Sequence, residues 1–132
     1  MFRAATALAR MFTRPVVVSF RERGGRVGSS VGTYVVVNDA GWIVTTAHML
    51  DVAGRAAPDK VMALSHWWSR DGVRLVDVQV LPEVDLAVGR LDPFPAGFVD
   101  GYPVFKDPAT GIEPGVSLCR LGFPFPNVRS TY

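Results

Sequence analysis

One cysteine and two histidines are all that this 132-residue chain holds of the side chains that most often bind transition metals. Cys119, being alone, forms no internal disulfide, so the fold does not depend on an oxidising compartment. It stands in "VSLCRL", which reads as a strand, and is expected as a small buried hydrophobe, not a nucleophile. Zinc needs several ligands in one place. His66 lies in an apolar strand beside Trp67 and Trp68, far in sequence from His48 and Cys119, so no metal and no cofactor is expected. Long hydrophobic runs are also missing, which leaves no candidate for a membrane-spanning helix.

Acidic residues are scarce at one end. The first 26 residues carry six arginines (Arg3, Arg10, Arg14, Arg21, Arg23, Arg26) against Glu22, whereas the remainder is net acidic. Such an arm can meet an anionic membrane or nucleic acid, but a solvated face is the plainer reading, and nucleic acid is not expected as a partner. "MFRAATALARMFTR" contains no acid and spaces Phe2, Ala5, Leu8, Ala9 and Phe12 as a helix does. It predicts an amphipathic helix or arm over 1–14 that docks on the domain. Arg10 interrupts the apolar core a secretory signal requires, and serine is too scarce for a transit peptide, which favours the cytoplasm.

What is present suits a packed domain: 48% hydrophobic and 20% charged residues, punctuated by 13 glycines and ten prolines. β-branched runs recur at short intervals. Strands are expected at 15–20, 31–37, 42–45, 61–67, 73–81 and 84–91, with Gly24-Gly25, "NDAG" and "SRDG" as turns. Six short strands without helical spacers predict an all-β, antiparallel barrel or sandwich over 15–92. Residues 92–115 hold five prolines and four glycines and read as a linker on the surface, not a core element. "VSLCRLGFPF" at 116–125 begins a further strand.

The chemistry centres on "GWIVTTAHML". A strand at 42–45 delivers His48 to a sheet rim, half-exposed, where an imidazole suits a general base. Its partner is sought among the acids. Asp77 lies mid-strand between Val76 and Val78 and is expected to face solvent, and Asp92 before Pro93 is turn chemistry. Asp85 opens the apolar run "DLAVGRL", where an ionised carboxylate needs a partner, and a histidine N–H provides one. "GSSVG" imitates a nucleophile elbow at Ser30, but that elbow must follow a strand and open a helix, and here a β-run follows.

These segments together resemble the trypsin-like serine proteases, in particular the bacterial high-temperature-requirement (Deg) type. "VGTYVVVNDAGWIVTTAHML" is similar to the family's histidine region, "VDLAVGRLD" to its aspartate motif, and "IEPGVSLCRLGFPF" to the first strand of its second barrel. The resemblance implies a six-stranded Greek-key barrel at 15–92 as the first of two, an inter-barrel linker at 93–115, and the start of an incomplete second barrel at 116–132. It implies His48 as general base and Asp85 as its orienting acid, acting on a protein or peptide substrate. The family's nucleophile lies in a Gly-x-Ser-Gly loop of the second barrel, and no such segment stands in these residues: Ser117 is in the strand candidate and Ser130 follows Arg129. The implied activity is that of a serine endopeptidase whose nucleophile is supplied by the missing second barrel, in cis or in trans, with the chain inactive alone. No zymogen-style site precedes an Ile-Val start. The alternative is a non-catalytic pseudo-protease barrel serving as an interaction module, with Trp67 or Trp68 as a binding anchor.

Overall fold

The computed structural model describes residues 2–21, 27–50, 65–68, 72–111, 113–117 and 121–122. Alanine-rich sequence near the N-terminus forms helix α1 (Phe2–Arg10), as its composition favours. Its last turn tightens, Met11 N–H donating to Leu8 O and Phe12 N–H to Ala9 O. The docking expected of this helix is not found. None of its residues is buried, and Phe2 and Leu8 face solvent.

Six antiparallel strands follow: β1 (Thr13–Arg21), β2 (Val27–Val36), β3 (Trp42–Thr45), β4 (Ser65–Trp67), β5 (Arg74–Leu81) and β6 (Leu86–Asp92). A one-turn helix, α2 (Ala47–Leu50), follows β3. The strands form one sheet in the order β4-β1-β2-β3-β6-β5. No ladder among the described residues joins β4 to β5, so the sheet is not closed into a barrel. Pro15 pairs with Thr33 of β2, and β4 covers only Val17–Ser19 on the other side of β1. The proline, with no N–H to offer, thus sits where no described residue pairs with the other side of β1.

The period-two pattern decides the core. Val16 and Val18 of β1, Tyr34 and Val36 of β2, Ile43 of β3 and Leu91 of β6 are fully buried, with Met49 of α2, Trp68 and Val73 packed among them. Burial of each of the large aliphatic side chains contributes about 1.5–3 kcal/mol before the entropy of ordering. Trp68 follows β4 and Val73 precedes β5, so both ends of the strand order converge on one interior. The Trp68 ring meets Tyr34 edge-on at 5.4 Å, and the Tyr34 hydroxyl donates to the Trp68 carbonyl. Burial pushes the Tyr34 pKa far above the phenol range, against the opposing pull of the Arg14 charge. Trp68 is therefore core, not the surface anchor considered above. The Trp67 and His66 side chains lie outside the described residues.

Two sequence features acquire a structural reason here. "NDAG" is a turn in which Asn38 Oδ1 accepts from the backbone N–H of Ala40 and Trp42, and Gly41 takes a φ of 82° against the Phe94 ring. Gly32 leaves room for the Met49 side chain, which a Cβ there would approach to 2.7 Å.

The stretch after β6 is a correction to the surface linker. Phe94, Phe98 and Val99 pack against the core, and the two phenylalanine rings meet edge-on at 6.0 Å. Arg14 donates to Phe98 O at 2.9 Å and stacks over the Phe98 ring, while Asp100 N–H donates to Met11 O. Residues 93–101 thus form a strap across the start of β1. The apolar anchors of the strap outweigh its proline and glycine content. Of the strand expected at 116–125, Val116, Ser117, Leu121 and Gly122 are in no strand, and the remaining positions, Cys119 included, lie outside the described residues.

Candidate active site

Antiparallel pairing puts the end of β3 beside the start of β6, with Thr45 opposite Ala87. Thr45 is buried, and its hydroxyl donates to Thr33 O at 3.0 Å, which fixes the last residue of β3. The chain then turns into α2, whose Ala47 and Met49 point inward and whose His48 points out. Across from it, a 3₁₀ turn at Pro82–Val84 leads into Asp85, which takes a left-handed conformation (φ 52°, ψ 42°) and donates its N–H to Pro82 O. Aspartate tolerates this region better than most residues. The sequence reading set Asp85 inside a strand over 84–91; it stands instead just before β6, and His48 sits on a helical turn instead of a bare rim.

The geometry joins the two residues at several atoms. Asp85 O accepts the Ala47 N–H at 3.1 Å. Asp85 Oδ1 accepts the His48 backbone N–H at 3.0 Å, and Oδ2 lies 2.7 Å from His48 Nδ1. The His48 backbone N–H, then the His48 ring, hold the Asp85 carboxyl below its ordinary value of 3.8, against a smaller desolvation effect. The carboxylate is therefore ionised at neutral pH and accepts from Nδ1–H. That assigns the tautomer: the lone pair of neutral His48 is on Nε2, which makes no hydrogen bond among the described residues. Both side chains remain open to solvent, 61% for His48 and 51% for Asp85.

An open cleft of about 520 Å³ lies alongside, walled by Ala47, Leu50, Val80 and Pro82. Val80, Leu81, Val84 and Leu86 expose an apolar rim next to it. The cleft walls were not read from the sequence. The only signal was Pro82, which starts the 3₁₀ turn.

The other candidates separate from this pair. Asp77 is exposed as expected, but with φ 54° at a register shift between Val76 and Gln79, and it pairs with Arg90 at 3.0 Å. Asp92 lies opposite Arg74 and precedes a cis bond to Pro93. Ser30 is inside β2, opposite Val18, not on a strand-to-helix turn. Ser117 is exposed, and Ser130 lies outside the described residues. Among the described residues, no three His, Cys, Asp or Glu side chains are grouped to hold a metal. No described helix is long and apolar enough to cross a membrane. Compared with protein-family models, curated proteins and solved structures, the chain matches none.

Proposed function

We propose that this chain is the N-terminal portion of a trypsin-like serine endopeptidase, with His48 as general base and Asp85 as its orienting acid. The observation that carries this reading is the 2.7 Å contact between His48 Nδ1 and Asp85 Oδ2, which leaves the Nε2 lone pair available above an open cleft. In the proposed reaction Nε2 takes the proton of a serine hydroxyl as its oxygen attacks the scissile carbonyl. The same nitrogen then protonates the departing amine, and Asp85 stays ionised throughout. The serine and the oxyanion donors come from outside these residues, on a second barrel in cis or in trans. The apolar rim at Val80, Leu81, Val84 and Leu86 is where such a barrel would seat. Without it the chain has base and acid but no nucleophile, and hydrolyses no peptide.

Support for a closed Greek-key barrel comes from the strand order. Its two ends, β4 and β5, are joined by residues 68–73 alone, and pairing between them would complete a six-stranded ring.

The exposed rim also favours a second reading, a non-catalytic interaction module of the same fold. A fluorophosphonate probe separates the two. Applied to the full-length product of the gene, it should label one serine, with labelling lost in His48→Ala. Absence of any labelled serine in a folded product with His48 intact would sink the protease reading and leave the module.

A further inference from the structure

Of the two described α-helices, α1 (Phe2–Arg10) gives the domain nothing buried, whereas α2 gives Ala47 and Met49. It is anchored just past its C-terminal end, where Val36 N–H donates to Phe12 O at 2.9 Å and Asp100 N–H to Met11 O at 3.2 Å. Along its length only Thr6 and Ala9 are partly covered. At about 100° per residue, Arg3, Thr6 and Arg10 form one polar stripe, and Ala5 and Leu8 lie on the far side, with Phe2 and Ala9 between. No acid stands among the first 21 residues.

We propose that α1 is an interfacial anchor that lays its apolar side into an anionic lipid surface. Two observations point there. Phe2 and Leu8 are 47% and 59% exposed, on a helix whose apolar side the domain covers only in part, at Ala9. The flanking charge is arginine alone, which complements lipid phosphates and forms paired hydrogen bonds with them. A long arginine side chain also reaches up to the headgroups while the helix sits lower. Nucleic acid would satisfy the arginines but leave Phe2 and Leu8 in water, so a lipid surface fits both halves of the helix. One short helix binds weakly and reversibly, and salt screens it. This inference does not depend on the protease reading.

Co-sedimentation of the 132-residue chain with phosphatidylcholine vesicles, with and without phosphatidylserine, tests it at low and at physiological salt. The expected result is binding only to the vesicles containing phosphatidylserine. Replacing both arginines (Arg3→Gln, Arg10→Gln) should weaken it about 25-fold, from about fivefold per basic residue. Leu8→Gln, which keeps a good helix former, should abolish it. Val84→Asp, on the apolar rim beside the cleft, should leave it unchanged. The proposal is overturned if wild type ignores the anionic vesicles, or if Val84→Asp abolishes binding while Leu8→Gln does not. It is equally overturned if the arginine changes abolish binding to single-stranded DNA and Leu8→Gln affects neither ligand, which would make α1 a polyanion site. Loss of self-association in Leu8→Gln, with vesicle binding intact, would assign the face to a second copy.

Discussion

One carboxylate, that of Asp85, holds His48 by its backbone and its ring together: Oδ1 is 3.0 Å from the amide nitrogen and Oδ2 is 2.7 Å from Nδ1. Rotation of the imidazole breaks the second contact while the first keeps the residue in place. The direction of Nε2 is thus set before any reaction partner arrives. Such advance orientation is a large part of what an active site contributes to rate.

Asp85→Asn should reverse the tautomer. The asparagine amide can accept the backbone N–H through its oxygen, but its NH₂ group then faces Nδ1 and favours a lone pair there. Nitrogen-15 NMR of the imidazole should show the proton on Nδ1 in wild type and on Nε2 in the variant. On the proposed protease reading, peptidase activity of the full-length protein should fall by about 10⁴-fold. An unchanged tautomer balance would remove Asp85 from its orienting role.

Acid should weaken this link. The folded Asp85 carboxyl titrates below its ordinary value, first because of the His48 backbone N–H and then because of the His48 ring. The stability it contributes is fully present above the ordinary value of 3.8 and disappears as pH falls through the lower folded value. Thermal midpoints of wild type and Asp85→Asn should therefore differ at neutral pH and converge in acid. A gap independent of pH would mean that the asparagine acts through packing alone.

Alkali should act through Tyr34. Its pKa is raised by burial, so the stability tied to its neutral form is fully present below the ordinary value of 10.0 and is lost as pH climbs above it. Spectrophotometric titration should show Tyr34 ionising only as the protein unfolds. Tyr34→Phe should cost about 1 kcal/mol at neutral pH for the lost hydrogen bond to Trp68 O and flatten the alkaline decline. Early ionisation of Tyr34 in the folded protein would contradict its placement.

Arg14 should prove hard to replace. It donates to Arg10 O, Thr13 O and Phe98 O and covers the Phe98 ring. Arg14→Lys keeps the charge but not the planar fork. Arg14→Ala should destabilise by about 1–3 kcal/mol, and Arg14→Lys by most of that, as read from denaturant midpoints. Hydrogen exchange should rise first at Asp100, whose amide ties the strap to Met11. Full rescue by lysine would show that only charge matters.

Residue type made much of this legible. β-branched alternation placed β3 at 42–45 in sequence and in structure, and "NDAG" marked the turn before it. The chemistry of a carboxylate ahead of an apolar run pointed to Asp85 as a companion for His48, and the fold brings the two together. Other features depend on partners distant in sequence. The left-handed Asp85 follows from a 3₁₀ turn and from two N–H groups 37 and 38 positions away, which no local pattern records. Proline and glycine in 93–101 mimic a solvent linker because composition does not say that Phe94 and Phe98 find a core. The spacing of α1 is amphipathic in either setting, so it could not tell a docked helix from an exposed one. Trp67 and Trp68 had to point to opposite faces, but only the contact with Tyr34 says that Trp68 is inside.

The β3–β6 ladder carries a consequence for the order of assembly. β1–β2 and β2–β3 are local and can zip as the chain collapses, whereas His48 and Asp85 are 37 residues apart and meet only after β6 has found β3. Closing that long loop costs entropy before any contact repays it, which makes the step slow compared with hairpin formation. The dyad therefore reports one step of folding, the pairing of β6 with β3: a chain that has not reached it has the histidine and the aspartate but no oriented base.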